Sequence, residues 1–350
     1  MLKFLLAISL SFFSFDKLIY YAGFIVVISV SICLFYIYYC KRNFEECRDI
    51  KLTWNPEIGR KLLFYSGWNV VGVLANIGRG QGLNIVMNLF FGTLLNAAHA
   101  IALQINGVVS QFISNIYMAT RPPITKLYAQ GDIGGMWNLI FRSAKITFYL
   151  LMILSIPAII EIETVLSLWL RDVPEYTSNI VVLMLMMTLI ETLVNQLISA
   201  FQAANRIKRY QQYSSTIILL CVPLSFVVLK FWKMNPMIPY VISIALSFFY
   251  VLSIVVVAKM ELNMSMKKFL HSVLIRNVIV FVIVFVLVRV LSDLLDASFG
   301  RVVVTFLLTL LSSAIMIWIV GLDGVEKAYV SNQISKVITN IKNNRIHEKS

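Results

Sequence analysis

The residues of this chain that could do chemistry are polar side chains set within long apolar segments. Arg79 stands near the middle of the stretch NVVGVLANIGRGQGLNIVMNLFFG. A cation in lipid costs roughly 3 kcal/mol on insertion scales, so it needs water or a protein partner. Arg79 therefore indicates a water-filled cavity for an anionic substrate, or a structural arginine paired with a carboxylate or helix-end carbonyls. We favour the cavity, because ionisable groups within membrane segments commonly mark function.

Amide and imidazole side chains accompany this arginine at helical spacing. In the same segment, Gln81, Asn84 and Asn88 share one helix face. The next apolar segment carries two polar stripes, which could line a pathway or form interhelical hydrogen bonds of about 1 kcal/mol each. The cavity candidates on those stripes are His99, Gln104, Asn106 and Gln111.

Glu191 is the clearest acid inside an apolar segment, and Asn195 lies one turn further in the same narrow sector of the predicted helix. Glu191 could neutralise Arg79 or serve as an ion-coupling group, and the sequence is compatible with either role. Together these ten side chains form the candidate substrate cavity.

Motifs for catalysis or metal binding do not occur in the sequence. The four cysteines form no CxxC pair, and the three histidines stand far apart, so we predict neither a metal nor a cofactor. There is no nucleophile elbow and no HExxH motif, and we predict that the chain is not an enzyme. The net charge of +13 fits basic membrane loops better than nucleic-acid binding.

The elements that must position the candidate residues are membrane helices. Apolar residues make up 59% of the chain and charged residues 13%, against about 25% charged in soluble domains. Nine segments have the roughly 20 residues that a helix needs to cross the bilayer. They are roughly 18–40, 62–91, 94–118, 144–162, 178–203, 212–232, 237–258, 274–292 and 301–320. Residues 2–15 could add a short tenth helix, so the predicted fold is an all-α polytopic membrane protein with nine to ten transmembrane helices.

Orientation follows from the basic residues of the connecting segments. If Lys41 is cytoplasmic, alternate connections hold 23 of the 30 Lys and Arg residues and the opposite connections hold five. Because basic loops stay in the cytoplasm, we expect a cytoplasmic C-terminus. The basic stretch 261–272 is too short and polar to span, and it predicts a basic interfacial helix on the cytoplasmic face. Residues 334–341 predict a surface helix or a loose, solvated tail.

Four regions follow from this organisation. Residues 1–40 are predicted to be the end of a first helix bundle, and residues 41–61, which are charged and contain Pro56, a cytoplasmic linker. Residues 62–320 are predicted to form a second helix bundle, followed by a cytoplasmic tail at 321–350.

Long stretches of the chain resemble a known family. The run GWNVVGVLANIGRGQGLNIVMNLFFG, then NAAHAIALQINGVVSQFISNIYMATRPPITKLYAQGD and FRSAKITFYLL, is similar to bacterial polysaccharide-export proteins. These are O-antigen flippase-like members of the multidrug/oligosaccharidyl-lipid/polysaccharide exporter superfamily. The segments SLWLRDVPEYT and YYCKRNFEECR are also similar to theirs, and the resemblance covers most of residues 16–260.

The resemblance implies two helix bundles that face each other across a central cavity in the bacterial inner membrane. It also implies translocation of undecaprenyl-diphosphate-linked oligosaccharide by alternating access, for polysaccharide or lipopolysaccharide biosynthesis. Arg79 would then attract the diphosphate from the first helix of the second bundle, since Coulomb attraction is strong at low dielectric. The expected partners are membrane lipid and this lipid-linked oligosaccharide.

Family members have two complete lobes, whereas this chain matches the C-terminal lobe and only the end of the first. Gene truncation, a start assigned too late or a separate partner chain could each account for the missing N-terminal lobe. Two other functions therefore stay open: an ion-coupled multidrug or metabolite exporter of the same superfamily, which would use Glu191, and an inactive truncated fragment.

Overall fold

The computed structural model of this chain describes residues 17–47, 55–232, 235–296, 298–328 and 331–332. Within these ranges the regular secondary structure is helical, without any strand, which confirms the all-α fold class. The helices are α1 (Lys17–Asn43), α2 (Pro56–Phe91), α3 (Thr93–Ala129), α4 (Ile133–Ile160), α5 (Ile162–Trp169), α6 (Thr177–Ala203), α7 (Ile207–Phe231), α8 (Ile238–Leu262), α9 (Met266–Ser292) and α10 (Phe299–Gly321).

Seven helices in the described part of the chain, α1, α4 and α6 to α10, are long and apolar enough to cross a membrane. The chain is therefore a multi-pass membrane protein. The predicted spans at 62–91 and 94–118 fall within α2 and α3, which are long but do not belong to these seven. Their amide side chains lower the mean hydropathy, so the total of nine to ten spans stays a prediction. The predicted helices at 2–15 and 334–341 lie outside the described residues.

The chain separates into two compact units, Met1–Leu62 and Leu63–Ser350. The first unit contains α1, a 3₁₀ turn at Glu45–Cys47 and the first residues of α2. Many large apolar side chains of α1 are exposed, Leu34 and Phe35 among them, as lipid contact would require. Lys61 and Glu57 form an exposed ion pair one turn apart, with Nζ and Oε1 separated by 2.7 Å.

The second unit is a helix bundle with α6 at its centre. This helix contacts α3, α4 and α8, while α7 packs along α8, and α9 and α10 pack against α4 and each other. Towards the α6 N-terminus, Met184 and Leu185 belong to an apolar cluster with α3, α4 and α9. Towards its C-terminus, Leu197 and Phe201 join a second cluster with α4, α7 and α8. The polar residues at the middle of α6 are therefore held between two packed layers.

Two glycines of the GRGQG run permit close approach of α2 to α7. A Cβ atom on Gly82 would lie 2.6 Å from Val222 Cγ2, and one on Gly78 would lie 3.0 Å from Leu219 Cδ2. A Cβ atom on Gly80 would meet no such neighbour within 4 Å. Small residues at helix crossings allow such contacts.

The stretch 261–272, predicted to be an interfacial helix, is divided between the end of α8 and the first turns of α9. Helix α8 ends at Leu262, and Met266 already begins α9, which continues to Ser292 through a π-helical turn at Leu270–Ile275. Phe269 and Val273 are fully buried, so this turn packs against the bundle. The lysines that suggested an interfacial helix lie on the first turn of α9 instead.

Candidate functional site

Arg79 on α2 forms an ion pair with Glu191 on α6. Arg79 Nη1 lies 2.6 Å from Glu191 Oε1, and Nη2 lies 3.4 Å from Oε2. The side chains are 15% and 19% exposed, so both charges are largely removed from solvent. Of the alternatives left open by the sequence, the structure contains the carboxylate pair: in this conformation Arg79 is neutralised by Glu191.

Groups from two further helices complete the surroundings of this pair. Ser247 on α8 donates a hydrogen bond of 2.9 Å to Glu191 Oε1, and Cys221 on α7 lines the same small cavity. Only ≈ 10 Å³ of that cavity is open to water-sized molecules, about the minimum for one water. The two charges therefore interact across a nearly dry junction of four helices, where Coulomb attraction is strong.

The pair lies deep within the bundle. Glu191 is near the midpoint of the 27-residue α6, and Cys221 and Ser247 are near the middles of α7 and α8. At 1.5 Å per residue, Glu191 is about 20 Å from either end of its helix. A charge at that depth would be very costly without its partner, so Arg79 and Glu191 each account for the presence of the other.

A polar cavity adjoins the ion pair between α2, α7 and α8. It has a volume of ≈ 360 Å³ and shares Ile218 and Tyr250 with the small cavity around the pair. Its polar lining comes from Asn69, Asn76, Gln211, Ser214 and Ser215. Amides and hydroxyls can donate and accept hydrogen bonds, as sugar hydroxyls require. None of these five residues is among the ten candidates from the sequence.

Two other candidates, Asn106 and His99, bond residues of α6 and α8 rather than Arg79. Thr188, three residues before Glu191, donates a 2.8 Å hydrogen bond to Asn106 Oδ1 on α3. His99 is fully buried, and its Nδ1 lies 2.6 Å from the Tyr240 hydroxyl on α8. Asn195 is half-buried on α6, one turn after Glu191. Asn106 and His99 thus join α3 to α6 and α8 and do not bond the ion pair.

The remaining candidates lie on outer faces of α2 and α3. Gln81, Asn88, Gln104 and Gln111 are exposed, and Gln111 donates a long 3.4 Å hydrogen bond to Asn115 on its own helix. Asn84 is half-buried, and its Oδ1 has no hydrogen-bond partner among the described residues. The structure therefore divides the ten candidates into a central pair, a set of helix contacts and an uncovered polar face.

A chain of hydrogen bonds that the sequence did not single out joins α3, α6 and α4. Thr120 on α3 donates to Gln196 Oε1 on α6 at 3.0 Å, and Gln196 Nε2 donates to Thr147 on α4 at 3.2 Å. Gln196 is fully buried. Its signal in the sequence is a glutamine within an apolar helix, and the two threonines carry none.

Within the described ranges, no three His, Cys, Asp or Glu side chains are close enough to hold a metal ion together. Comparison with models of protein families, with curated proteins and with solved structures finds no match for this chain. The ion pair and its adjoining polar cavity are the chemical features from which a function can be inferred.

Proposed function

We propose that residues 63–321 form one helical lobe of a flippase that translocates undecaprenyl-diphosphate-linked oligosaccharide across the bacterial inner membrane. The lobe would be the C-terminal one of a two-lobe exporter, with α2 and α3 as two further membrane spans. The observation that carries the proposal is the Arg79–Glu191 ion pair at mid-depth of the bundle, beside a cavity lined with amides and hydroxyls.

The chemistry of the pair suits a diphosphate. Arginine binds phosphate oxygens through two parallel N–H groups, and such bonds are strong where water is excluded. A diphosphate that reaches Arg79 would replace Glu191 as its partner, while the adjoining cavity offers hydrogen bonds to sugar hydroxyls. When substrate leaves, Glu191 would take back the arginine. The Arg79–Glu191 pair would thus keep the site electrically neutral when it is empty, and its separation would make Arg79 available to an anion.

The outer faces of α2 and α3 support a second lobe. Gln81 and Asn88 on α2 and Gln104 and Gln111 on α3 are exposed, although both helices are long enough to cross a bilayer. Exposed amides are unfavourable in lipid, so these faces require water or protein against them. A facing lobe that encloses a watery cavity would supply both.

The proposed orientation has the C-terminus in the cytoplasm. Contacts at helix ends follow the alternation of basic segments along the sequence. Arg206, which follows α6, bonds Glu261 near the end of α8. Lys145, at the end of the first half of α4, bonds Glu326 after α10. Arg301 bonds Glu161 where α4 ends and α10 begins. The basic connections therefore gather at one end of the bundle, as cytoplasmic loops would.

Binding of a short polyprenyl diphosphate to the purified chain tests the proposal. The test variants are R79M, E191M and the double variant R79M/E191M, which keeps net charge constant. We expect the double variant to fold, because replacing a buried pair by apolar residues is often neutral for stability. It should nevertheless lose most diphosphate binding, since the arginine is gone. E191M, which frees Arg79, should retain binding or bind more tightly.

The matched control is E57Q/K61Q, which removes another ion pair of α2 whose residues do not line either cavity. Unchanged diphosphate binding by a folded R79M/E191M protein would show that the pair is purely structural and would overturn the proposal. Binding of a cationic drug in place of diphosphate, lost in E191M, would favour the ion-coupled exporter instead. Absence of binding to either probe would favour an inactive fragment.

A further inference from the structure

A second charged cavity lies at the end of the bundle where α4, α9 and the segment after α10 meet. It has a volume of ≈ 370 Å³. Its charged lining consists of Arg142, Lys145, Lys268, Asp323 and Glu326. It shares no lining residue with the ion pair of Arg79 or its polar cavity. We refer to it as the basic end cavity.

Two cations at the basic end cavity are neutralised by the acids that follow α10. Lys145 is 2% exposed, and its Nζ lies 2.5 Å from Glu326 Oε2 and 3.4 Å from Asp323 Oδ2. Arg276, on α9, forms an ion pair with Asp323. Glu326 also accepts a 2.8 Å hydrogen bond from the Asp323 backbone N–H, which fixes the two acids relative to each other.

The other two cations keep their positive charge available. Arg142 Nε reaches Glu326 Oε1 only at 3.8 Å, and its side chain is 42% exposed. Lys268 is exposed, and its Nζ donates to the neutral amide of Asn138 at 2.9 Å. Four cations thus accompany two carboxylates, which leaves a net charge of two, carried by Arg142 on α4 and Lys268 on α9.

This arrangement suits a phosphate group. Arginine offers a planar pair of donors and lysine a compact point charge, and both bind phosphate oxygens well. Ser272, which also lines the cavity, adds a hydroxyl donor. The cavity lies between membrane helices at one end of the bundle, where lipid headgroups are found, and basic pockets in such positions bind anionic headgroups. The buried Lys145–Glu326 pair gives this site a fixed wall.

We propose that the basic end cavity binds a phosphate-bearing anion, either the headgroup of an anionic lipid or free phosphate. Arg142 and Lys268 supply the contacts, and Asp323 and Glu326 hold the remaining cations in place. This site is separate from the proposed function, and none of its residues belongs to the machinery around Arg79. The outcome of the diphosphate test with R79M/E191M therefore does not bear on the basic end cavity.

The test measures binding of phosphatidylglycerol to the purified full-length chain in detergent, with phosphatidylcholine as the neutral comparison. The variant R142Q/K268Q removes two exposed cations, so it should fold, which thermal melting verifies. The matched control K208Q/K259Q removes two other exposed lysines. Each cation contributes about fivefold to the binding of an anionic headgroup, so R142Q/K268Q should weaken binding about 25-fold. The control should bind like the unaltered chain.

Addition of inorganic phosphate distinguishes the sources. Displacement of phosphatidylglycerol by millimolar phosphate would assign the cavity to free phosphate, and resistance to it would assign the cavity to a lipid headgroup. Either result, combined with selective loss in R142Q/K268Q, supports the site. Equal loss of phosphatidylglycerol binding in both double variants would mean that general surface charge attracts the lipid. Unchanged binding in R142Q/K268Q would mean that the cavity does not hold the lipid. Either outcome would overturn the proposal.

Discussion

Arg301 Nε lies 2.9 Å from both carboxylate oxygens of Glu161, and Arg301 Nη2 lies 2.8 Å from Oε2. The Glu161 side chain is fully buried, and the Thr305 hydroxyl donates a further hydrogen bond of 3.1 Å. Glu161 is the residue between α4 and α5, and Arg301 is in the first turn of α10. This pair therefore ties the end of α4 to the start of α10.

Removal of the Glu161 charge should strongly destabilise the bundle. E161Q keeps the shape of the side chain but leaves Arg301 without its counter-ion, and breaking such a pair costs about 3 kcal/mol or more. R289Q is the matched control, because Arg289 and Asp293 form a half-exposed pair one turn apart. R289Q should lower the free energy of unfolding by less than about 1 kcal/mol. Thermal melting in detergent compares the two, and equal losses would contradict the importance given to burial.

The Arg79–Glu191 pair should show strong coupling between its two halves. R79M or E191M alone leaves a buried charge unpaired and should destabilise the chain by about 3–5 kcal/mol. The double variant should lose less than either single variant, because neither charge remains. A double-mutant cycle from denaturation in mild detergent measures the coupling. Additive losses would mean that the two side chains do not depend on each other.

The contact between α2 and α7 should be sensitive to a methyl group at Gly82 but not at Gly80. G82A places a Cβ atom 2.6 Å from Val222 Cγ2, so α2 or Val222 must shift. G80A meets open space, and it should stabilise the helix by about 1 kcal/mol because alanine favours helix over glycine. The melting temperature should therefore rise for G80A and rise less, or fall, for G82A. The same rise in both would exclude a tight contact at Gly82.

Asp323, outside the membrane-spanning helices, should make stability depend on pH. Burial by itself would raise the pKa of its carboxyl, but Lys145 and Arg276 outweigh burial and hold that pKa below its usual value. A carboxyl with a lowered folded pKa stabilises the fold above its unfolded pKa of about 3.9, and this contribution is lost as pH falls through the folded pKa.

The measurement compares the melting of the unaltered chain and D323N from pH 7 to pH 3. The unaltered chain should be more stable at pH 7, and the difference between the two should shrink only below about pH 4. A difference that disappears between pH 6 and pH 7 would point to another titrating group. A difference that stays constant to pH 3 would show that the Asp323 charge does not contribute.

Much of the fold was predictable because its signals are local. Eight of the nine long predicted segments lie within a helix of the structure to within one residue, since about 20 apolar residues in a row are specified by the sequence itself. The ninth, 144–162, runs past the end of α4 at Ile160. The sequence did not indicate that most of the stretch 261–272 is continuous with α9, because the burial of Phe269 and Val273 in the bundle leaves no sign in the lysines beside them. The polar residues marked a boundary between two helices, but the packing of Phe269 and Val273 decided that the stretch continues into α9.

The sequence by itself determined that the chain is helical, that it is a multi-pass membrane protein, and that Arg79 and Glu191 are costly charges within apolar helices. Only the tertiary structure decided that these two residues are partners, for they are 112 positions apart. It likewise brought Glu161 to Arg301 and Lys145 to Glu326, 140 and 181 positions apart. Helix formation depends on neighbours within a few residues, whereas the partner of a buried charge depends on how whole helices pack, which no local pattern encodes.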